Sequence, residues 1–276
     1  MNNRERENMG TNNPTAHESL VAPDLPKPLM LKLFKKLGLA VFPYRKKHVY
    51  CPQKFVSKAL KLVGTEEILP FGEMAREVIS HKKTLLGYDR LYTLYQAILS
   101  IENMAIQDGS IAEVGVYKGG SAYFLAMLAE KIIGNKIKIF VFDTFEGHAK
   151  IDIDQRLDGP HTTEKFTNNS FDEVSKYLSV FNNVVVYKGR FQDQCTQIQG
   201  ESFSFAHIDV DLYEPTVACL HFFSSHLKTG GIMVVDDYGY KTCEGAKQAV
   251  DEFMDRNHRF VKFHLTTGQC LIVKIS

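Results

Sequence analysis

The chain has 276 residues, 44% of them apolar and 24% charged, with a formal net charge of +1. This length suits one large domain with an N-terminal appendage and argues against a second full domain. The charge balance excludes bulk attraction to nucleic acid.

The five cysteines, Cys51, Cys195, Cys219, Cys243 and Cys270, are scattered and form no C-x-x-C pair. They argue against a disulfide framework or a thiolate zinc site and fit a reducing cytoplasm. No apolar run is long enough to span a bilayer. No apolar core follows Arg4, Glu5, Arg6 and Glu7, so a signal peptide is not expected.

In chain order, residues 1–28 are rich in Asn and Pro and read as a disordered tail. Over residues 29–42, Met30, Leu33, Phe34, Leu37 and Val41 fall on one helical face and Lys32, Lys35 and Lys36 fall opposite. The expectation is a helix docked on the core, on a partner subunit or over the site. Arg45, Lys46 and Lys47 extend the basic surface, which leaves weak contact of residues 29–47 with an anionic membrane as the alternative. Residues 29–84 are thus assigned to a basic, helical lid or oligomerisation region.

Residues 54–106 look largely helical. Strands are predicted at 110–116, 137–143, 183–187, 203–209 and 231–236. Helices are predicted up to about residue 133 and over 214–227 and 244–256. Two late strands near 260–265 and 270–275 read as a closing hairpin with one antiparallel strand at the edge. The fold class is α/β: a doubly wound, mostly parallel seven-stranded sheet with helices on both faces. The polar segment from Glu146 to about Asn169 is expected to be a substrate lid.

Three strand ends carry ligand chemistry. The first runs Glu113-Val-Gly115-Val-Tyr-Lys-Gly119-Gly120-Ser121. Glycines between a strand and a helix let the backbone approach a ligand. Their spacing is not G-x-G-x-x-G, so no pyrophosphate is required, and a plain tight turn is the bland alternative. Asp143 closes the second strand, where an acid accepts hydrogen bonds from both ribose hydroxyls; helix capping is its alternative. Asp193, after the third strand, is placed to accept from an adenine amino group.

Alternation along the fourth strand puts His207, Asp209 and Asp211 on one face if the strand runs that far. The fifth strand ends in Asp236 and Asp237. Four converging carboxylates repel unless a cation or protons neutralise them. Capping needs only one Asp per helix. Oxygen ligands favour Mg²⁺, Mn²⁺ or Ca²⁺ over Zn²⁺. Asp209, Asp236 and Asp237 are assigned to the metal and Asp211 to a general base, with the order of Asp209 and Asp211 left open. His207 is read as a buried support for these acids, ahead of a ligand.

The stretches IAEVGVYKGGSA, FDTFEG, FAHIDVDLYEPT, GGIMVVDDYG and GAKQAVDEF together resemble the macrocin O-methyltransferase (TylF/MycF-type) family over roughly residues 85 to 275. The resemblance implies a class I methyltransferase domain over 85–276. It also implies Mg²⁺- or Mn²⁺-dependent transfer of a methyl group from S-adenosylmethionine to a sugar hydroxyl of a glycosylated metabolite or glycan. Matching positions assign Glu113, Gly115 and Ser121 to the methionine end of the donor, Asp143 to the ribose and Asp193 to the adenine. They assign Asp209, Asp236 and Asp237 to the metal and Asp211 to the base. A homo-oligomer with N-terminal elements closing the site is also implied. The alternatives are a catechol-like acceptor and a donor-binding scaffold without turnover; the scaffold's signature would be loss of an acidic ligand, and none is lost. Nucleic acid is excluded as a substrate, because the catalytic half has no basic stretch interleaved with aromatics.

Overall fold

The computed structural model describes residues 68–276, apart from 107 and 135. The expected tail over 1–28 and the basic segment over 29–47, with its membrane alternative, lie outside the described residues.

Two helices come first, α1 (Ile68–Ser80) and α2 (Tyr88–Asn103). Phe71, Ala75 and Val78 of α1 and Leu91, Leu94, Ile98 and Ile101 of α2 are completely buried. Their spacing of three and four residues makes one apolar stripe per helix. Strand β1 (Ser110–Val114) leads through a glycine turn into α3 (Gly120–Leu128), which ends in a π-helical turn. Then come β2 (Ile139–Asp143), a long loop, α4 (Phe171–Leu178) and β3 (Val184–Lys188). The Ser170 hydroxyl caps α4 by accepting the Glu173 N–H. The short α5 (Phe191–Gln194), β4 (Phe203–Ile208), α6 (Tyr213–His226) and β5 (Leu227–Val235) follow. The chain closes with α7 (Glu244–Arg256), β6 (Phe260–His264) and β7 (Cys270–Lys274).

The sheet order is β3-β2-β1-β4-β5-β7-β6. Strands β1 to β5 are parallel, and β7 runs antiparallel to both of its neighbours. The central strands are apolar on both sides, as helices on both faces demand. Alternation divides them into two cores. Ile111, Ile139, Val141, Phe205, Ile232 and Val234 face the side of α1, α2 and α3. Ala112, Phe140, Phe142, Ala206, Ile208, Met233 and Val235 face the side of α6 and α7. Each large side chain buried this way contributes roughly 1.5–3 kcal/mol.

The expected antiparallel strand exists, but it is not at the edge. β7 lies one place in, and β6 forms the edge. Burial explains the order: β7 (CLIVK) is buried at Cys270, Ile272 and Lys274, whereas β6 leaves Val261 and Phe263 exposed. The more apolar strand takes the interior position beside β5. No helix among the described residues is long and apolar enough to cross a membrane.

The strand order reverses between β1 and β4. A crevice outside the carboxyl ends of the strands is expected at such a switch point.

Candidate active site

A cleft of about 1080 Å³, mouth included, opens at that point. Gly115, Ser121, Asp143, Asp209, Asp211 and Asp237 line it. Six of the nine sequence-assigned residues therefore meet in one cavity; Glu113, Asp193 and Asp236 are not part of its lining.

The glycine end is made by main chain. Gly115 sits at φ +90° and donates its N–H to the Phe142 carbonyl. A Cβ there would lie 1.7 Å from the Asp209 carbonyl oxygen, so only glycine lets the ends of β1 and β4 approach this closely. Asp143 accepts the N–H groups of Val116 (2.9 Å) and Tyr117 (2.7 Å) on Oδ2 and of Phe145 (2.7 Å) on Oδ1. Tyr117 and Phe145 both have positive φ, so Asp143 fixes two unusual backbone conformations. Burial pushes its carboxyl up, and the three amides act against that. A side-chain hydrogen bond from Asn169 acts in the same sense as the amides.

The acid end is made by side chains. β4 stops at Ile208, so alternation does not carry Asp211 to the face of Asp209, contrary to the sequence expectation. Asp211 instead has φ +61° and joins the group through a turn closed by the Leu212 N–H and Val210 carbonyl. Its own N–H bonds Asp237 Oδ2 at 3.1 Å. Burial, then the neighbouring Asp236, pushes Asp209 well above the usual carboxylate range. Asp237 is pushed up by burial and by Asp211, Asp209 and Asp236.

Asp236 is completely buried and has partners on both oxygens. Oδ2 pairs with Arg90 Nη1; Oδ1 accepts from Gln269 Nε2 at 2.8 Å and lies 3.5 Å from His207 Nε2. Burial works against its ionisation, but Arg90 and His207 hold its carboxyl down at about 2. His207 Nδ1 meets Glu113 Oε1 at 2.8 Å. Burial alone would lower His207, yet hydrogen bonds to Asp236 and Glu113 push it up to about 10. His207 thus lies buried between two carboxylates, in contact with both. Glu113 belongs to this buried chain and is not part of the cleft lining; its Oε2 has no partner among the described residues.

Asp193 is 57% exposed and pairs with Arg190 Nη1 at 3.2 Å. The cleft at that end is lined by Arg190, Gln192 and Asp152. Arg190 bonds both Asp152 oxygens, at 2.9 and 2.5 Å. The four-residue α5 turns Gln192 inward and Asp193 outward, which strand counting does not register.

The loop between β2 and α4 crosses the cleft, with His148 and Phe166 in its lining. Buried Asp158 ties it down by accepting the N–H of Tyr213, the first residue of α6, at 3.1 Å. His148 Nε2 lies 3.7 Å from Asp211 Oδ2. His148, His161, Arg90 and Gln269 were not assigned from sequence. The one signal was a charged pair, Asp89 and Arg90, inside an otherwise amphipathic helix.

The donor set tests the metal expectation. Asp209 and Asp237 offer hard oxygen ligands whose ionisation is opposed by burial and by their neighbouring acids, a cost that a divalent cation of the Mg²⁺ class would relieve. Asp236 is bound into the wall beside them.

Comparison with known proteins gives the relationship. The family described as Macrocin-O-methyltransferase (TylF) matches residues 70–267. The chain is 27% identical over 207 residues to mycinamicin III 3''-O-methyltransferase of Micromonospora griseorubida, covering 68% of this chain and 78% of that one. It is 25% identical over 185 residues to the 8-demethyl-8-(2,3-dimethoxy-alpha-L-rhamnosyl)-tetracenomycin-C 4'-O-methyltransferase of Streptomyces olivaceus, covering 63% and 69%. The O-methyltransferase NovP shares the fold, with a TM-score of 0.60 at 21% identity over 70% of this chain and 83% of that structure.

Proposed function

The chain belongs to the macrocin O-methyltransferase (TylF) family, and on that premise we propose that it methylates a sugar hydroxyl of a glycosylated small molecule or glycan, with S-adenosylmethionine as donor and Mg²⁺ or Mn²⁺ as cofactor. One observation carries this reading: Asp209, Asp211 and Asp237 open into the same cleft as Gly115, Ser121 and Asp143. The sugar acceptor is supported by the tetracenomycin relative, whose name specifies a rhamnosyl substrate.

Gly115 and Ser121 would hold the amino-acid end of the donor and Asp143 its ribose. Gln192, whose buried Oε1 has no partner among the described residues, would take the place of Asp193 as the group facing the adenine. Asp209 and Asp237 would hold the cation, with Asp236 beside them as the third carboxylate, fixed by Arg90. When bound, the cation acidifies a coordinated hydroxyl. A lone pair of the hydroxyl oxygen forms the new O–CH₃ bond while the CH₃–S bond breaks. The bonding pair returns to sulfur, and the hydroxyl proton passes to Asp211. The loop carrying His148 and Phe166 acts as the lid that keeps water from the sulfonium.

The test uses the full chain, S-adenosylmethionine labelled in its methyl group, and a panel of glycosylated acceptors with a catechol as control. Label is expected on a sugar oxygen, with transfer stopped by EDTA and restored by Mg²⁺. Label on the catechol alone, or transfer that persists in EDTA, overturns the proposal.

A further inference from the structure

A second cluster stands beside the carboxylates and shares Asp211 with the mechanism above. His161 is buried, and its Nε2 lies 2.9 Å from the Thr242 carbonyl oxygen. A carbonyl only accepts, so Nε2 carries the proton and Nδ1 is left as a bare lone pair. That lone pair faces His148 Nε2 at 3.3 Å, and His148 Nε2 lies 3.7 Å from Asp211 Oδ2. One ligand atom from each of the three residues falls within 4.8 Å of the others.

These spacings have a physical meaning. Bonds of about 2.0–2.1 Å in a tetrahedral zinc site separate ligand atoms by roughly 3.3 Å. A histidine whose second nitrogen donates to a backbone carbonyl is the usual form of a metal-ligating imidazole. Lys165 Nζ lies 3.5 Å from His161 Nδ1 and would have to swing away, as a long side chain can. Cys243 Sγ lies 3.4 Å from Asp211 Oδ1 and 3.7 Å from His161 Nε2, which adds a soft atom at the margin. Two imidazoles and a carboxylate select a borderline ion of the Zn²⁺ or Co²⁺ class over Mg²⁺.

We propose that His148, His161 and Asp211 form a second cation site, selective for a Zn²⁺-like ion, whose occupancy switches off methyl transfer by converting the base Asp211 into a ligand. The site stands on its own geometry; the inhibitory consequence rests on the function proposed above.

Cobalt is the probe. Full-length protein freed of metal and then given excess Mg²⁺ is titrated with Co²⁺, and its visible absorption is recorded. Wild type is expected to show the bands of four-coordinate, nitrogen-ligated Co²⁺, bleached by Zn²⁺. His161→Gln and His148→Gln are each expected to weaken this binding at least about tenfold, with circular dichroism confirming their folds. Asp209→Asn is expected to keep the spectrum. In assays, Zn²⁺ is expected to inhibit wild type at least about tenfold more than His161→Gln, each measured against its own zinc-free rate. Loss of the spectrum in Asp209→Asn, with retention in both histidine variants, overturns the site, as does a wild type without the bands. A cobalt site in a protein that methylates no acceptor keeps this site and removes the proposed function. Methylation insensitive to zinc removes the inhibitory consequence.

Discussion

The two ends of the cleft are held by different chemistry. At Gly115 and Asp143, main-chain N–H groups, positive φ angles and a missing Cβ set the shape. At Asp209, Asp236 and Asp237, side chains set it: buried and half-buried acids are balanced against Arg90, His207 and Gln269. A wall of main chain tolerates almost no added volume, whereas a balance of charges accepts isosteric change and answers with altered energy. The first end is a matter of space, the second of electrostatics.

The harshest way to break this contrast is Gly115→Ala. The added methyl overlaps the Asp209 carbonyl at a φ that L-residues avoid, so the expected loss of stability is more than about 4 kcal/mol. Urea denaturation measures it, and a variant as stable as wild type would show that β1 and β4 need not approach so closely. Next comes Arg90→Met, which takes the cation from the buried Asp236 Oδ2 and is expected to cost about 3–5 kcal/mol. Adding Asp236→Asn should recover much of that loss in a double-mutant cycle; failure to do so would mean Arg90 acts by packing alone.

A smaller and opposite effect is expected at Asp209. Asp209→Asn removes a carboxylate that burial and Asp236 both disfavour. The metal-free protein should gain about 1 kcal/mol, while methyl transfer falls about a hundredfold. A variant that loses both stability and activity would deny the charge balance. The smallest effect is a control away from the cleft, at Asp251 of α7. Despite partial burial, Lys247 and Lys262 hold Asp251 below the usual carboxylate range. A depressed folded-state value means stability that is present above the unfolded pKa and lost as pH falls through the folded one. The melting gap between wild type and Asp251→Asn should therefore close below about pH 4. A gap that widens in acid would reverse that sign.

The contrast also explains what was legible in the sequence. Gly115, Asp143, Asp209 and Asp237 mark the ends of apolar runs, and local pattern reports strand ends well. Asp193 lies outside the cleft lining because a single turn of helix decides which neighbour faces inward. Arg90 and Gln269 were invisible as site residues because they reach Asp236 from 146 and 33 positions away in the chain. The place of β7 was equally hidden, since alternation says which face of a strand is apolar and nothing of which strand lies beside it.

That placement has a consequence for synthesis. A ribosome delivers the chain from its N-terminus, so β6 emerges ahead of its partner, because β7 is its one neighbour in the sheet among the described residues. Gln269, just ahead of β7, is likewise missing from Asp236 until then. The nascent polypeptide thus exposes a finished glycine turn and a full complement of acids before it can clasp them, and β7 acts as the keystone of the cleft.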